Sequence, residues 1–196
     1  NLKIIKKEKL AMAYSTYAHS LVRTARYVEA IKAAKIGIAL FKKNKTIKAD
    51  STLIELETHR AFAYKYQWQT DKALKLGLKI RNRLVQTSNP YHWYQVLNLL
   101  GSIYNGMDDY KRAIQFRKKA LDCAEKFQSE PLIASAKGNL GISLMNAGEL
   151  KNGEELLIKH QEYSIKTGRI REEALSYIIS PFERALPSRT TRFAAD

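Results

Sequence analysis

Apolar residues along this chain recur three or four positions apart, the spacing that gathers them on one face of an α-helix. Nowhere do they alternate with period two. Short polar or glycine-bearing stretches interrupt the pattern, which predicts helices over residues 4–24, 27–43, 47–67, 70–87, 91–106, 110–127, 131–147, 151–167 and 171–180. Asn105 to Asp109, Asn146 to Gly148 and Gly168 supply residues that end helices, while Pro90 and Pro131 stand beside helix starts, where a missing N–H is harmless. The expected fold class is all-α.

A longer beat overlies the helical one. Ala18, Ala61, Gly101 and Gly141 are spaced by 43, 40 and 40 residues, and Ala30, Ala73, Ala113 and Gly153 follow them, each 12 residues later. All eight slots hold alanine or glycine, types that supply only 31 of the 196 residues, so chance is a poor explanation. Two antiparallel helices crossing at about 8–10 Å need small side chains where their axes approach. Large residues then fill the space around the contact. Leu21, Tyr64, Tyr104 and Leu144 lie three residues after the first small position, and Ile31, Leu74 and Ile114 directly follow the second. Tyr27, Tyr110 and Leu150 precede the second small position by three, with Thr70 the polar exception. The chain therefore reads as four helix–turn–helix units.

The run Leu97-Asn98-Leu99-Leu100-Gly101-Ser102-Ile103-Tyr104, followed by Asp109-Tyr110, Ala113-Ile114 and Ala120-Leu121, resembles the tetratricopeptide repeat family. Asn139-Leu140-Gly141 and Gly148-Glu149-Leu150 repeat those landmarks one unit later, and the resemblance covers roughly residues 10 to 170. A period of 40 rather than 34 is similar to the long-helix branch of the family, which often binds extended peptides. The resemblance implies a right-handed superhelix, or solenoid, of four repeats forming a single domain over residues 1–180, with units at about 8–46, 47–90, 91–130 and 131–170. Pro181 falls where a fifth unit would carry its small residue, and proline inside a helix costs about 3 kcal/mol or more. Residues 171–180 are accordingly expected as a C-terminal capping helix, and 181–196 as an irregular tail.

In this family the concave face is lined by the first helix of each unit, at positions beside the first small residue. Carried onto this chain, that implies Arg23, Lys65, Asn98, Ser102, Asn105, Asn139 and Asn146 as candidate peptide-binding residues. Asparagine offers both a donor and an acceptor to an extended backbone, and Lys65, Arg23 and protonated His19 would favour carboxylates. The competing reading makes the four asparagines ordinary solvated residues, with Asn105 and Asn146 serving helix ends. Asn98 and Lys65 partly fit the family's carboxylate clamp, but Gly138 and Ile142 stand where the fourth unit should supply polar groups.

Composition changes this picture in two ways. First, it argues against chemistry. His19, His59, His92 and His160 show no i, i+4 metal pair, Gly138 to Gly141 is a repeat landmark rather than a phosphate loop, and Cys123 has no activating neighbour in sequence. No enzyme activity, metal or cofactor is expected. The lone cysteine excludes a disulfide framework, and no apolar run reaches the roughly 18 residues that span a bilayer, so a cytoplasmic, reducing setting is expected. Second, the formal net charge of +15 is uneven: residues 1–50 hold 12 Lys/Arg against 3 Asp/Glu, and residues 51–90 hold 7 against 3. Lys3, Lys6, Lys7 and Lys9 form one basic cluster, and Lys42, Lys43, Lys45 and Lys48 another. Such a half suits an acidic protein segment first and nucleic acid second. The leading expectation is a scaffold or adaptor that binds a partner peptide in its groove. A start at Asn1 also leaves open a regulatory or sensory repeat domain cut from a larger signalling or transcription protein.

Overall fold

A computed structural model describes residues 2–41, 47–84 and 89–168, all helix and tight turn, with no strand among them. The expected capping helix at 171–180, the tail at 181–196, and the cluster residues Lys42, Lys43 and Lys45 lie outside the described residues. Eight helices follow one another: α1 (Leu2–Arg23), α2 (Tyr27–Leu40), α3 (Ile47–Tyr66), α4 (Thr70–Arg83), α5 (Pro90–Asn105), α6 (Tyr110–Lys126), α7 (Glu130–Asn146) and α8 (Leu150–Lys166).

Each helix packs antiparallel on the next, and the small-residue columns explain how closely. Ala18, Ala61, Ala30, Ala73 and Ala113 are wholly buried, and the three glycines of the columns are buried too. A Cβ placed on Gly141 would meet the Gly153 carbonyl oxygen at 2.8 Å, and one on Gly153 would meet the Gly141 oxygen at 2.8 Å. The two backbones cross there, and no side chain fits between them. Leu56, Leu99, Leu100, Ile103 and Ile80 fill the space around such crossings in core clusters, which lie across α1–α3, α3–α6 and α5–α7.

The turns inside the units are copies of one another. Arg26, Gln69, Asp109 and Glu149 donate their backbone N–H to the carbonyls of Leu21, Tyr64, Tyr104 and Leu144, at 2.9–3.0 Å. The residue just before each donor sits in the left-handed region: Ala25 (φ 59°), Trp68 (φ 60°), Asp108 (φ 58°) and Gly148 (φ 85°). This six-to-one bond with a left-handed residue is the Schellman ending, and it reverses the chain in a few residues. Asn89 and Asp109 then open the following helices by accepting from the N–H of Tyr91 and Arg112.

Helix limits fall within a few residues of the pattern, with two shortfalls. α4 stops at Arg83 rather than 87, because Leu84 turns to extended backbone (φ −70°, ψ 127°) while its side chain stays in the core. α2 stops at Leu40 rather than 43, with Phe41 buried as its cap. Tyr110 spends its hydroxyl on Asp108, 2.6 Å away at the surface, rather than on the core expected of it.

First helices also pack on first helices: α1 on α3, α3 on α5 and α5 on α7, while among the described residues no comparable packing joins α2 to α4, α4 to α6 or α6 to α8. The wall of first helices is therefore the tighter, inner side of the stack. No helix among the described residues is long and apolar enough to cross a membrane.

Candidate functional site

The inner wall presents the residues that lie off the packing stripes of α1, α3, α5 and α7. Side chains on successive first helices reach one another there. Ser15 donates to Glu55 Oε2 at 3.0 Å, joining α1 to α3. Glu55 Oε1 lies 3.6 Å from His92 Nε2, and Ser51 Oγ lies 3.2 Å from the same nitrogen, joining α3 to α5. Asn146 Nδ2 donates to Asn105 Oδ1 at 3.3 Å, joining α5 to α7. Polar contacts thus step along the wall from one end of the stack to the other.

Of the seven candidate residues, Asn105 and Asn146 are brought together by that bond. Asn98, half-buried on α5, accepts a hydrogen bond at 3.2 Å from Arg117 Nη1 on α6. Lys65, half-buried on α3, sets its ammonium 4.3 Å from the centre of the Tyr66 ring. Ser102 and Asn139 lie half-buried on α5 and α7, and Arg23 is exposed at the end of α1. The seven do not form one cluster. They are distributed over α1, α3, α5 and α7.

Aromatic rings flank Lys65. Tyr66 stacks on Tyr27 at 5.1 Å between ring centres and faces Phe62 at 6.5 Å, yet stays 43% exposed. Nearer α1, the rings of His19 and His59 approach to 5.1 Å although they stand 40 residues apart in the chain. Burial, with repulsion from His19, pushes His59 down to about 4, and burial with the Arg23 charge lowers His19. Glu55 is held below the usual carboxylate range chiefly by its bond to His92. No group of three or more His, Cys, Asp or Glu side chains among the described residues is arranged to hold a metal ion.

Two residues escaped the sequence reading. In the sequence His59 is one of four scattered histidines, since spacing does not show that His19 lies across from it. Arg117 was passed over because it belongs to a second helix, where the pattern assigns packing. It is only 5% exposed. Its signal was the register: the position four residues after the second small residue is Ala34, Gly77, Arg117 and Leu157, and one of these is out of character. Cys123 is half-buried on α6, and burial raises its thiol, which keeps it protonated. His160 packs its ring on Gly138, where a Cβ would come within 2.8 Å of Cγ, and sets Nδ1 3.0 Å from the Ala134 carbonyl oxygen.

No protein-family model matches the chain, and no curated protein matches it in sequence. Solved structures do match in shape. BtubC from P. vanneervenii superposes with a TM-score of 0.63 at 17% identity, over 97% of this chain and 72% of that one. A putative kinesin light chain with nearly identical TPR-like repeats from Podosopora anserina gives 0.61 at 16%, over 85% and 79%. The apo form of RapI gives 0.58 at 19%, over 87% of this chain but 48% of that chain. The chain has the fold of a tetratricopeptide-type helical repeat, a solenoid of stacked helix pairs.

Proposed function

We propose that this chain is a protein-interaction scaffold that holds a segment of a partner protein along the wall built by α1, α3, α5 and α7. The observation that carries the reading is the run of side-chain contacts between successive first helices, Ser15–Glu55, Ser51–His92 and Asn105–Asn146. Each links neighbouring first helices about one repeat apart, so polar side chains line that wall in every unit. An extended peptide offers backbone groups with a regular spacing of its own, and a recurring wall can meet them at several places. The likeness to repeat folds supports the same reading. Binding rather than catalysis is the proposed role, with a protein or peptide as partner, no cofactor, and an intracellular setting.

The test compares partner capture by the wild type, by Lys65→Glu/Asn98→Ala/Asn139→Ala, and by a control with exposed second-helix lysines reversed, Lys75→Glu/Lys118→Glu. A partner lost only to the inner-wall variant is the expected result. Loss only to the control would place binding on the outer side and defeat the proposal.

The second reading is nucleic-acid binding through the basic end, where Lys6, Lys7, Lys9, Lys32 and Lys35 are exposed on α1 and α2. Phosphate contacts release counterions, so affinity would fall steeply with salt, roughly in proportion to the number of phosphates neutralised. A flat response between 50 and 200 mM salt, on the order of the range where such binding collapses, would remove it.

A further inference from the structure

Every first helix after α1 docks on the second helix of the preceding unit through one stripe of residues. Five residues before the first small residue stand Leu56, Val96 and Ala136, two after it stand Ala63, Ile103 and Ser143, and all six are buried. Small residues of the preceding helix face this stripe. A Cβ on Gly37 of α2 would come within 2.8 Å of Leu56 Cδ2, and one on Gly77 of α4 within 3.0 Å of Leu100 Cδ2. Ala136 of α7 packs in one cluster with Ala120 and Ala124 of α6. α1 carries the same stripe uncovered. Ala13 and Ser20, its residues at those two positions, are exposed, and Leu10 and Tyr17 on the same face are each 49% exposed. Lys6 and Lys9 continue that face toward the start of the helix and Lys7 stands beside it, all three exposed, while the first turn holds no acidic residue. Lysines near the positive end of a helix dipole do not stabilise their own helix.

We propose that this face of α1 docks an acidic amphipathic helix of a partner protein, in the place that α2, α4 and α6 take on the first helices that follow them. The occupant is a helix because each covered copy of the stripe is covered by one, 14 to 17 residues long. It runs antiparallel to α1, as those helices do to their neighbours, so its C-terminal end, the negative end of its dipole, lies beside Lys6, Lys7 and Lys9. Apolar residues three and four apart cover Leu10, Ala13 and Tyr17 and supply the affinity, while acidic side chains in its C-terminal half meet the lysines and select the partner. A second copy of this chain fits less well. Its α8 has His160 and Ser164 where α6 has Ala120 and Ala124, and its α1 would set lysines against lysines. Nucleic acid would use the lysines and leave the apolar stripe in water. The face is on the far side of α1 from Ser15, which reaches α3, so docking there does not depend on the inner wall.

The test is a phage-displayed library of helices the length of α6, with a fixed apolar stripe and flanking positions drawn from Glu, Gln and Lys, selected against the full chain. Enriched helices should carry glutamates in their C-terminal half. Ala13→Arg should weaken them at least about 10-fold, because its bulk blocks the stripe while its charge adds to the lysines. Lys6→Glu/Lys9→Glu should turn the selection toward lysine-bearing helices. Both variants place good helix formers at exposed positions, so both should melt as the wild type does. Lys65→Glu/Asn98→Ala/Asn139→Ala, on the inner wall, should bind the same helices as the wild type. No enrichment, enrichment without an acidic bias, indifference to Ala13→Arg, or loss only to the inner-wall variant would overturn the proposal. A single-stranded oligonucleotide bound more tightly by Ala13→Arg than by wild type, with no acidic helix enriched, would give the lysines to nucleic acid instead. Self-association in sedimentation equilibrium that Ala13→Arg abolishes would replace the partner by a second copy.

Discussion

His59 shows how the stack creates chemistry at the scale of single residues. It is 6% exposed on α3, with His19 of α1 across from it and Glu55 one turn away on its own helix, itself bonded to His92 of α5. Arg23 adds a positive charge near His19. Burial and the second imidazole outweigh Glu55, so folded His59 holds a proton only below about 4, against 6.5 when unfolded. The unfolded chain therefore binds more protons between those values, and stability is complete above pH 6.5 and lost as pH falls toward 4. Between pH 7 and pH 5 the loss from this residue is about 2 kcal/mol. Urea denaturation of wild type and His59→Gln at both pH values should give a visibly flatter pH dependence for the variant. Equal slopes would show that His59 takes up its proton in the folded chain about as readily as in the unfolded one. None of this was legible in the sequence, where the histidines stand far apart, and Arg117 was equally hidden because one polar residue in an apolar register looks like noise until Gly101 is seen beneath it.

At the scale of elements, small residues do two opposite jobs, and substitutions separate them. Gly153 lies where α7 and α8 cross, and a Cβ there would meet the Gly141 carbonyl oxygen at 2.8 Å, the Met145 nitrogen at 3.0 Å, and Met145 Cγ closer still. Alanine would gain about 1 kcal/mol of helix propensity, but backbone cannot step aside as a side-chain tip can, and overpacking costs about 1–3 kcal/mol or more. Gly153→Ala is expected to lower stability by a net amount on the order of 1–2 kcal/mol. Ala25 presents the reverse case, an L-residue at φ 59° in a Schellman turn. Ala25→Gly removes a left-handed penalty of about 1–2 kcal/mol and adds about 0.5–1 kcal/mol of unfolded-chain entropy. A gain of roughly 0.5–1 kcal/mol should follow, raising the melting temperature by about 2 °C. Thermal melts of both variants check the two signs together. The helix pairs were legible because close crossings require alanine or glycine at fixed intervals. The last turn of α4 was not, because Leu84 satisfies the apolar pattern from extended backbone as readily as from helix.

For the whole molecule, a stack in which each helix meets only near neighbours has no single core to hold it together, so stability should vary along it. The fold class was visible from the eight small positions alone, since nothing but stacked helix pairs asks for that beat. The inner wall was visible only as a set of positions, since which side chains meet depends on the tilt between successive units. Burial now ranks the elements. α5 is packed on both sides and buries ten residues, among them Val96, Leu97, Leu99, Leu100 and Ile103, whereas α8 buries only Gly153 and Ser164. Leu150 and Ile158 on α8 are 57% and 46% exposed, so they gain little from folding. Native-state amide hydrogen exchange under rising urea should therefore show α8 opening at a distinctly lower free energy than α5, in a step separate from global unfolding. A single exchange free energy shared by both helices would mean that the stack unfolds as one unit. The same experiment tests the proposed groove, because its candidate residues Lys65 and Asn98 lie on α3 and α5, in the well-packed middle of the stack. A ligand seated there stabilises only those openings that break its site. Bound peptide should then slow exchange in α5 and leave α8 almost unchanged, whereas a ligand held at the end of the array would protect α8 first.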